Sequence, residues 1–140
     1  IGDEVWIYYN GTSRRHDQSG ASAQRTGLFR ARLRRDGFLA AVSPPEGGSF
    51  TTPPLTFSGR RLSLNVDTGA GGWLEVEMLG GGRRPLSGLS RRDCDAVRGN
   101  TTARTVTWNG DEDCGRAAGH DVRLRFHMRS TRLHAFQFTP

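Results

Sequence analysis

Apolar and polar residues alternate along most of this chain. In Arg61-Leu62-Ser63-Leu64-Asn65-Val66-Asp67 every second position is apolar, which puts Leu62, Leu64 and Val66 on one face of an extended strand. Trp73 to Leu79 repeats the period with Leu74, Val76 and Met78 inward, and the intervening Gly69-Ala70-Gly71-Gly72 predicts that the two segments pair as a hairpin. Val122 to Arg129 alternates without a break, Thr105 to Trp108 runs into an Asn109-Gly110 turn, and Leu133 to Phe138 forms a last strand. Helical character is confined to Asp113–Gly119, with Asp111 or Asp113 as cap and Gly119 as stop. Short strands joined by Gly and Pro turns predict an all-β fold, an antiparallel β-sandwich.

The first third of the chain has a different texture. Val5 to Tyr9 and Leu28 to Leu33 read as two strands, separated by a polar stretch from Gly11 to Thr26 that carries Arg14, Arg15, His16 and Asp17 and is too long for a tight hairpin turn. Ser43-Pro44-Pro45-Glu46-Gly47-Gly48 has the composition of a boundary. The expected organisation is therefore a β-hairpin over residues 1–42 and a sandwich over 43–140.

A chain of 140 residues can enclose one core without a metal or a staple. Its first residue is Ile, which reads as a mature product or an excised fragment, and no apolar run approaches the ~20 residues that span a bilayer, so no membrane partner is expected. The net charge of +6 would ordinarily raise nucleic acid as a partner. All the basic residues are arginine, however, and they are scattered (Arg14, Arg30, Arg60, Arg83, Arg104, Arg123) with no recognition module beside them. That pattern fits GC-rich coding and a solvated surface better than phosphate contacts, so no nucleic-acid partner is expected. Cys94 and Cys114 leave two readings open: a disulfide, stabilising by about 3 kcal/mol in an oxidising compartment, or two buried free thiols.

Several residues could carry chemistry. Glu75 and Glu77 stand about 6.6 Å apart along one strand face, near the carboxyl spacing of inverting glycosidases, yet such pairs are common on solvated strands and catalytic ones flank a cleft. Cross-strand pairing of these carboxylates with Arg123 and Arg125 is the expected arrangement. Trp73 shares their outer face beside a Gly-rich loop, the combination of flat ring and polar neighbours on which a sugar stacks. Trp6 and Tyr8 point to a common side of their strand and are a secondary candidate platform, whereas Trp108 belongs with Val106 in the core. His16, His120, His127 and His134 lack the spacing of a metal site. Asp93 and Asp95, and the triplet Asp111, Glu112 and Asp113, are candidates for structural calcium, although neither spacing follows a calcium loop. Asn10-Gly11-Thr12 and Asn100-Thr101-Thr102 fit the glycosylation acceptor pattern.

The opening Asp3-Glu4-Val5-Trp6-Ile7-Tyr8-Tyr9-Asn10-Gly11 and the later Thr26-Gly27-Leu28-Phe29-Arg30-Ala31-Arg32-Leu33-Arg34-Arg35-Asp36-Gly37-Phe38 resemble the closing strands of the last blade in bacterial five-bladed β-propellers of the glycoside hydrolase family 32/43 type. Leu55 to Gly59, Leu62 to Val66, Val122 to Phe126 and Leu133 to Phe138 are similar to the jelly-roll or lectin-like sandwich that follows such propellers. The resemblance implies that the catalytic carboxylates lie on blades outside this sequence. It also implies a non-catalytic accessory domain of a secreted, extracellular or periplasmic protein, binding a poly- or oligosaccharide beside its parent propeller. A protein-interaction or oligomerisation module is the alternative.

Overall fold

The computed structural model describes residues 2–13 and 25–140, and divides them into two compact units, one ending at Gly37 and the other running from Phe38 to Pro140. Arg14, Arg15, His16 and Asp17 lie outside the described residues. The first unit is a two-stranded antiparallel ribbon of β1 (Glu4–Thr12) and β2 (Thr26–Arg34), in register from Glu4 opposite Arg34 to Thr12 opposite Thr26.

The second unit is all-β and holds its strands in two sheets. Its strands are β3 (Ala41–Ser43), β4 (Gly48–Thr51), β5 (Arg61–Asp67), β6 (Trp73–Leu79), β7 (Asn100–Thr105), β8 (Arg123–Arg129) and β9 (Thr131–Thr139). One sheet has the order β3-β9-β5-β7 and the other β4-β8-β6, with every pairing antiparallel. Leu62, Leu64 and Val66 from β5, Leu74, Val76 and Met78 from β6, and Leu124, Phe126 and Met128 from β8 are all buried in one cluster. That is the face the period-two pattern assigns to each strand.

The expected hairpin between β5 and β6 is not formed. β5 pairs with β7 and β9, whereas β6 pairs with β8 in the other sheet, so Gly69–Gly72 carries the chain across the sandwich. Gly72 is required there: a Cβ would meet the backbone oxygen of Thr68 at 2.0 Å and those of Ser130 and Arg129 at 2.5 and 2.6 Å. A second crossing lies alongside it, where Ser130 alone joins β8 to β9, in the left-handed region at φ 47°.

The boundary also moves. Ala41–Ser43 pairs with β9, and the Ser43 hydroxyl donates to the Met128 carbonyl at 2.8 Å, so these residues belong to the sandwich and not to the hairpin segment ending at 42. Pro44 to Gly47 is a tight turn closed by a bond from Gly47 N–H to the Pro44 carbonyl, with Pro at its second and Gly at its fourth position. It links β3 in one sheet to β4 in the other. The expected strand from Thr105 to Trp108 is displaced too: β7 ends at Thr105, while Val106 and Trp108 enter the core beyond it.

Cys94 and Cys114 are free thiols, both buried, which resolves the two readings against a disulfide. Each is held by a different partner: the Cys94 sulfur accepts the Val76 N–H from β6, and the Cys114 N–H donates to the Arg60 carbonyl ahead of β5. Burial pushes both thiols up to about 11 from 9.0. A thiol that stays protonated in the fold but ionises when unfolded adds stability below pH 9 that is lost as pH rises toward 11. The folded protein is therefore expected to resist a disulfide-exchange reagent at pH 8, to release two equivalents on denaturation, and to lose stability between pH 9 and 11 in a way that Cys→Ala variants reduce.

Candidate functional site

The outer face of the β4-β8-β6 sheet gathers most of the sequence-predicted residues. Trp73, Glu75 and Glu77 project from β6, and in register opposite them on β8 stand Arg129, His127 and Arg125. Arg123 lies one step further, opposite Leu79, and β4 contributes Ser49 opposite His127 and Thr51 opposite Arg125. The same alternation that sends Leu124, Phe126 and Met128 inward puts these polar residues outward, so the core pattern also sets the site.

Two ion-pair systems occupy this face. At its centre Glu77 is only 6% exposed, not wet as its alternation suggests, and its Oε1 takes Arg125 Nη1 at 3.2 Å and His127 Nε2 at 3.0 Å. Arg125 also donates its Nε to the Thr51 hydroxyl at 3.1 Å, which ties all three strands together. The second system is more exposed: Arg91 Nε donates to Glu75 Oε2 at 2.7 Å, and its guanidinium carbon lies 5.5 Å from the centre of the Trp73 ring, within cation–π reach. Of the expected cross-strand pairs, Glu77 with Arg125 is formed. Arg123 instead donates to the Thr52 carbonyl at 3.1 Å, and Glu75 takes its arginine from a loop.

Trp73 is half-buried and fixed through its backbone. Its carbonyl accepts the Thr131 hydroxyl at 3.0 Å, from the start of β9 in the other sheet, and the neighbouring Gly72 carbonyl accepts Arg98 Nη1 at 3.0 Å. Leu74 exchanges both backbone hydrogen bonds with Val97, so the loop after β6 lies along the free side of that strand. Arg91, Arg98, His127 and Arg129 are the members of this face that sequence reasoning missed. His127 and Arg129 could have been found by extending the alternation of β8 beyond Arg125. Arg91 and Arg98 lie on an irregular loop without periodicity.

Trp6 and Tyr8 belong to the separate ribbon. Trp6 Nε1 donates to Glu4 Oε2 at 2.8 Å, and the Arg30 guanidinium stands 4.1 Å from the ring centre, while Tyr8 is 59% exposed. They share no sheet with Trp73.

The acidic loops are committed to hydrogen bonds with the protein itself. Asp113 pairs with Arg60 and accepts the Gly115 N–H, which holds its carboxyl below the usual range, Glu112 pairs with Arg61 at 2.6 Å, and Asp111 accepts the Asp113 N–H. Asp93 is held low by the Ser90 hydroxyl and Asp95 by that of Thr107. Among the described residues no three His, Cys, Asp or Glu side chains converge on a point that could hold a metal ion. Neither does Asp111 or Asp113 cap a regular helix: the segment forms only a 3-10 turn, Gly115–Ala117, entered through Cys114. No helix among the described residues is long and apolar enough to cross a membrane.

No protein-family model, curated protein or solved structure matches this chain.

Proposed function

We propose that the sandwich is a non-catalytic accessory domain of a secreted carbohydrate-active protein, of the jelly-roll or lectin-like kind, and that it binds a poly- or oligosaccharide on the outer face of β6 and β8. The observation that carries this reading is Trp73: a half-buried indole on a sheet face, its backbone held from two sides, with guanidinium and carboxylate groups around it. A pyranose lays its C–H face on such a ring while its hydroxyls exchange hydrogen bonds with the charged neighbours. Glu75 and Glu77 are both engaged by arginine, which supports the non-catalytic reading. The propeller-like character of the ribbon sequence supports a glycoside-hydrolase-type parent.

Affinity electrophoresis of the whole chain through gels containing xylan, β-glucan, fructan or pectin tests the proposal. Retardation on at least one polymer is expected, and Trp73→Ala is expected to weaken it about tenfold, a change on the order of 1.4 kcal/mol. Absence of retardation, with self-association rising with concentration, would move the function to the ribbon. That second reading is favoured by its exposed apolar side chains, Tyr8, Tyr9, Leu28 and Phe29.

A further inference from the structure

The charges around Trp73 do not cancel. On the outer face of β6 and β8 stand Arg123, Arg125 and Arg129 against the carboxylates Glu75 and Glu77, and the loop beside it adds Arg91 and Arg98 together with Asp93 and Asp95, which are held by the Ser90 and Thr107 hydroxyls. Glu77 is consumed by Arg125 and His127, and Glu75 by Arg91. Arg98 and Arg123 donate to backbone carbonyls and have no carboxylate within 4 Å among the described residues. Arg129 is exposed, directly opposite Trp73 in the β6–β8 register, and has no acidic partner among the described residues. Its Cβ stands about 5 Å from that of Trp73, as in any directly opposed antiparallel pair.

Resting on the reading of Trp73 as a sugar platform, we propose that the ligand is an acidic saccharide whose uronate carboxylate is bound by Arg129 while its ring lies on Trp73. A neutral sugar offers that guanidinium only hydroxyl acceptors, without charge pairing. A planar carboxylate accepts two parallel N–H bonds from a guanidinium fork, the strongest and most directional pairing available to arginine. The anionic group could be a uronate carboxylate or a sulfate ester, since both present paired oxygens. The carboxylate fits better because it is bonded directly to the ring, and the cross-strand span from Trp73 to Arg129 is short.

Calorimetric titration of the full chain at 0.15 M NaCl with tetragalacturonate, its methyl ester, xylotetraose and a sulfated tetrasaccharide tests this assignment. Tetragalacturonate is expected to bind about tenfold more tightly than its methyl ester, and Arg129→Gln to remove that advantage while leaving the ester's affinity unchanged. Arg129→Lys, which keeps the charge but not the fork, should restore only part of it. Arg84→Gln deletes the same charge at an exposed site in the loop after β6 and should have no effect, which separates a site from general attraction to polyanions. Equal affinity for the acid and its ester, or an unchanged preference in Arg129→Gln, would overturn the uronate assignment and leave the sugar platform standing. Tighter binding of the sulfated sugar would overturn the carboxylate in favour of the sulfate ester. Binding of none of the four would remove both the assignment and the platform.

Discussion

Phe126→Ala is expected to lower the unfolding free energy by about 3–5 kcal/mol, a large share of the 5–15 kcal/mol that holds an ordinary domain together. Phe126 has no exposed surface and sits mid-way along β8, the central strand of its sheet. Its ring stacks on Phe50 of the adjacent β4 at 5.1 Å and tilts against Phe136 of β9, in the opposite sheet, at 5.5 Å. Truncation therefore removes contacts within one sheet and across the sandwich at once, and rigid neighbours on both sides limit collapse into the cavity. Phe50→Ala should cost less than half as much, because that ring is 37% exposed before it is removed. Denaturant unfolding followed by tryptophan fluorescence measures both, Trp108 being buried in the same core with its indole N–H on the Val76 carbonyl. A loss below about 1 kcal/mol in Phe126→Ala would mean that the two sheets do not pack through this residue.

The alternation that exposes Phe126 as a core residue is what the sequence makes legible. Leu62, Leu64 and Val66, or Leu124 and Phe126, can be assigned inward from their spacing because a strand has only two faces and one of them must be dry. Which strand lies beside which is set by long-range contacts that leave no local signal. The Gly69–Gly72 segment could equally close a hairpin or cross a sandwich, and in the crossing that forms, Gly72 stands where a Cβ would meet three backbone oxygens. β9 shows a finer limit: Val66 faces Leu133 but Asn65 faces Ala135, so His134 is an extra residue that shifts the register. That bulge is why the apolar positions jump from Leu133 to Phe136 before resuming their period at Phe138. The short strands were illegible for another reason. Gly48–Thr51 and Asn100–Thr105 are too brief or too polar for a period to register, and tertiary pairing imposes their conformation. Burial of Glu77 was unreadable as well, since the alternation that places it on the outer face does not reveal what covers that face.

Glu77→Ala is expected to destabilise the fold by about 2–4 kcal/mol, the largest effect of any single change on the outer face. The carboxylate is desolvated, and its removal leaves the Arg125 guanidinium and the His127 ring facing each other without their shared acceptor. Loss of one member of a buried pair usually costs 3–5 kcal/mol, but here the Arg125 side chain is 36% exposed and can recover part of its solvation. Glu77→Gln keeps the shape and an acceptor oxygen but not the charge, so it should fall between the alanine variant and the native protein. Glu75→Ala gives the internal control. It removes a carboxylate of the same strand face whose partner, Arg91, is 48% exposed, and the cost should stay within about 1 kcal/mol. If Arg125 is the principal partner, a double-mutant cycle on Glu77 and Arg125 should return a coupling above about 1 kcal/mol, and replacing both by apolar residues of similar volume should recover most of the stability. Equal losses in Glu75→Ala and Glu77→Ala would show that depth on this face does not matter and that Glu77 is an ordinary surface charge. The distinction bears on the proposed ligand site, because a rigid, charge-compensated centre at Glu77 leaves the uncompensated arginines at the Trp73 end as the groups available to an incoming anion.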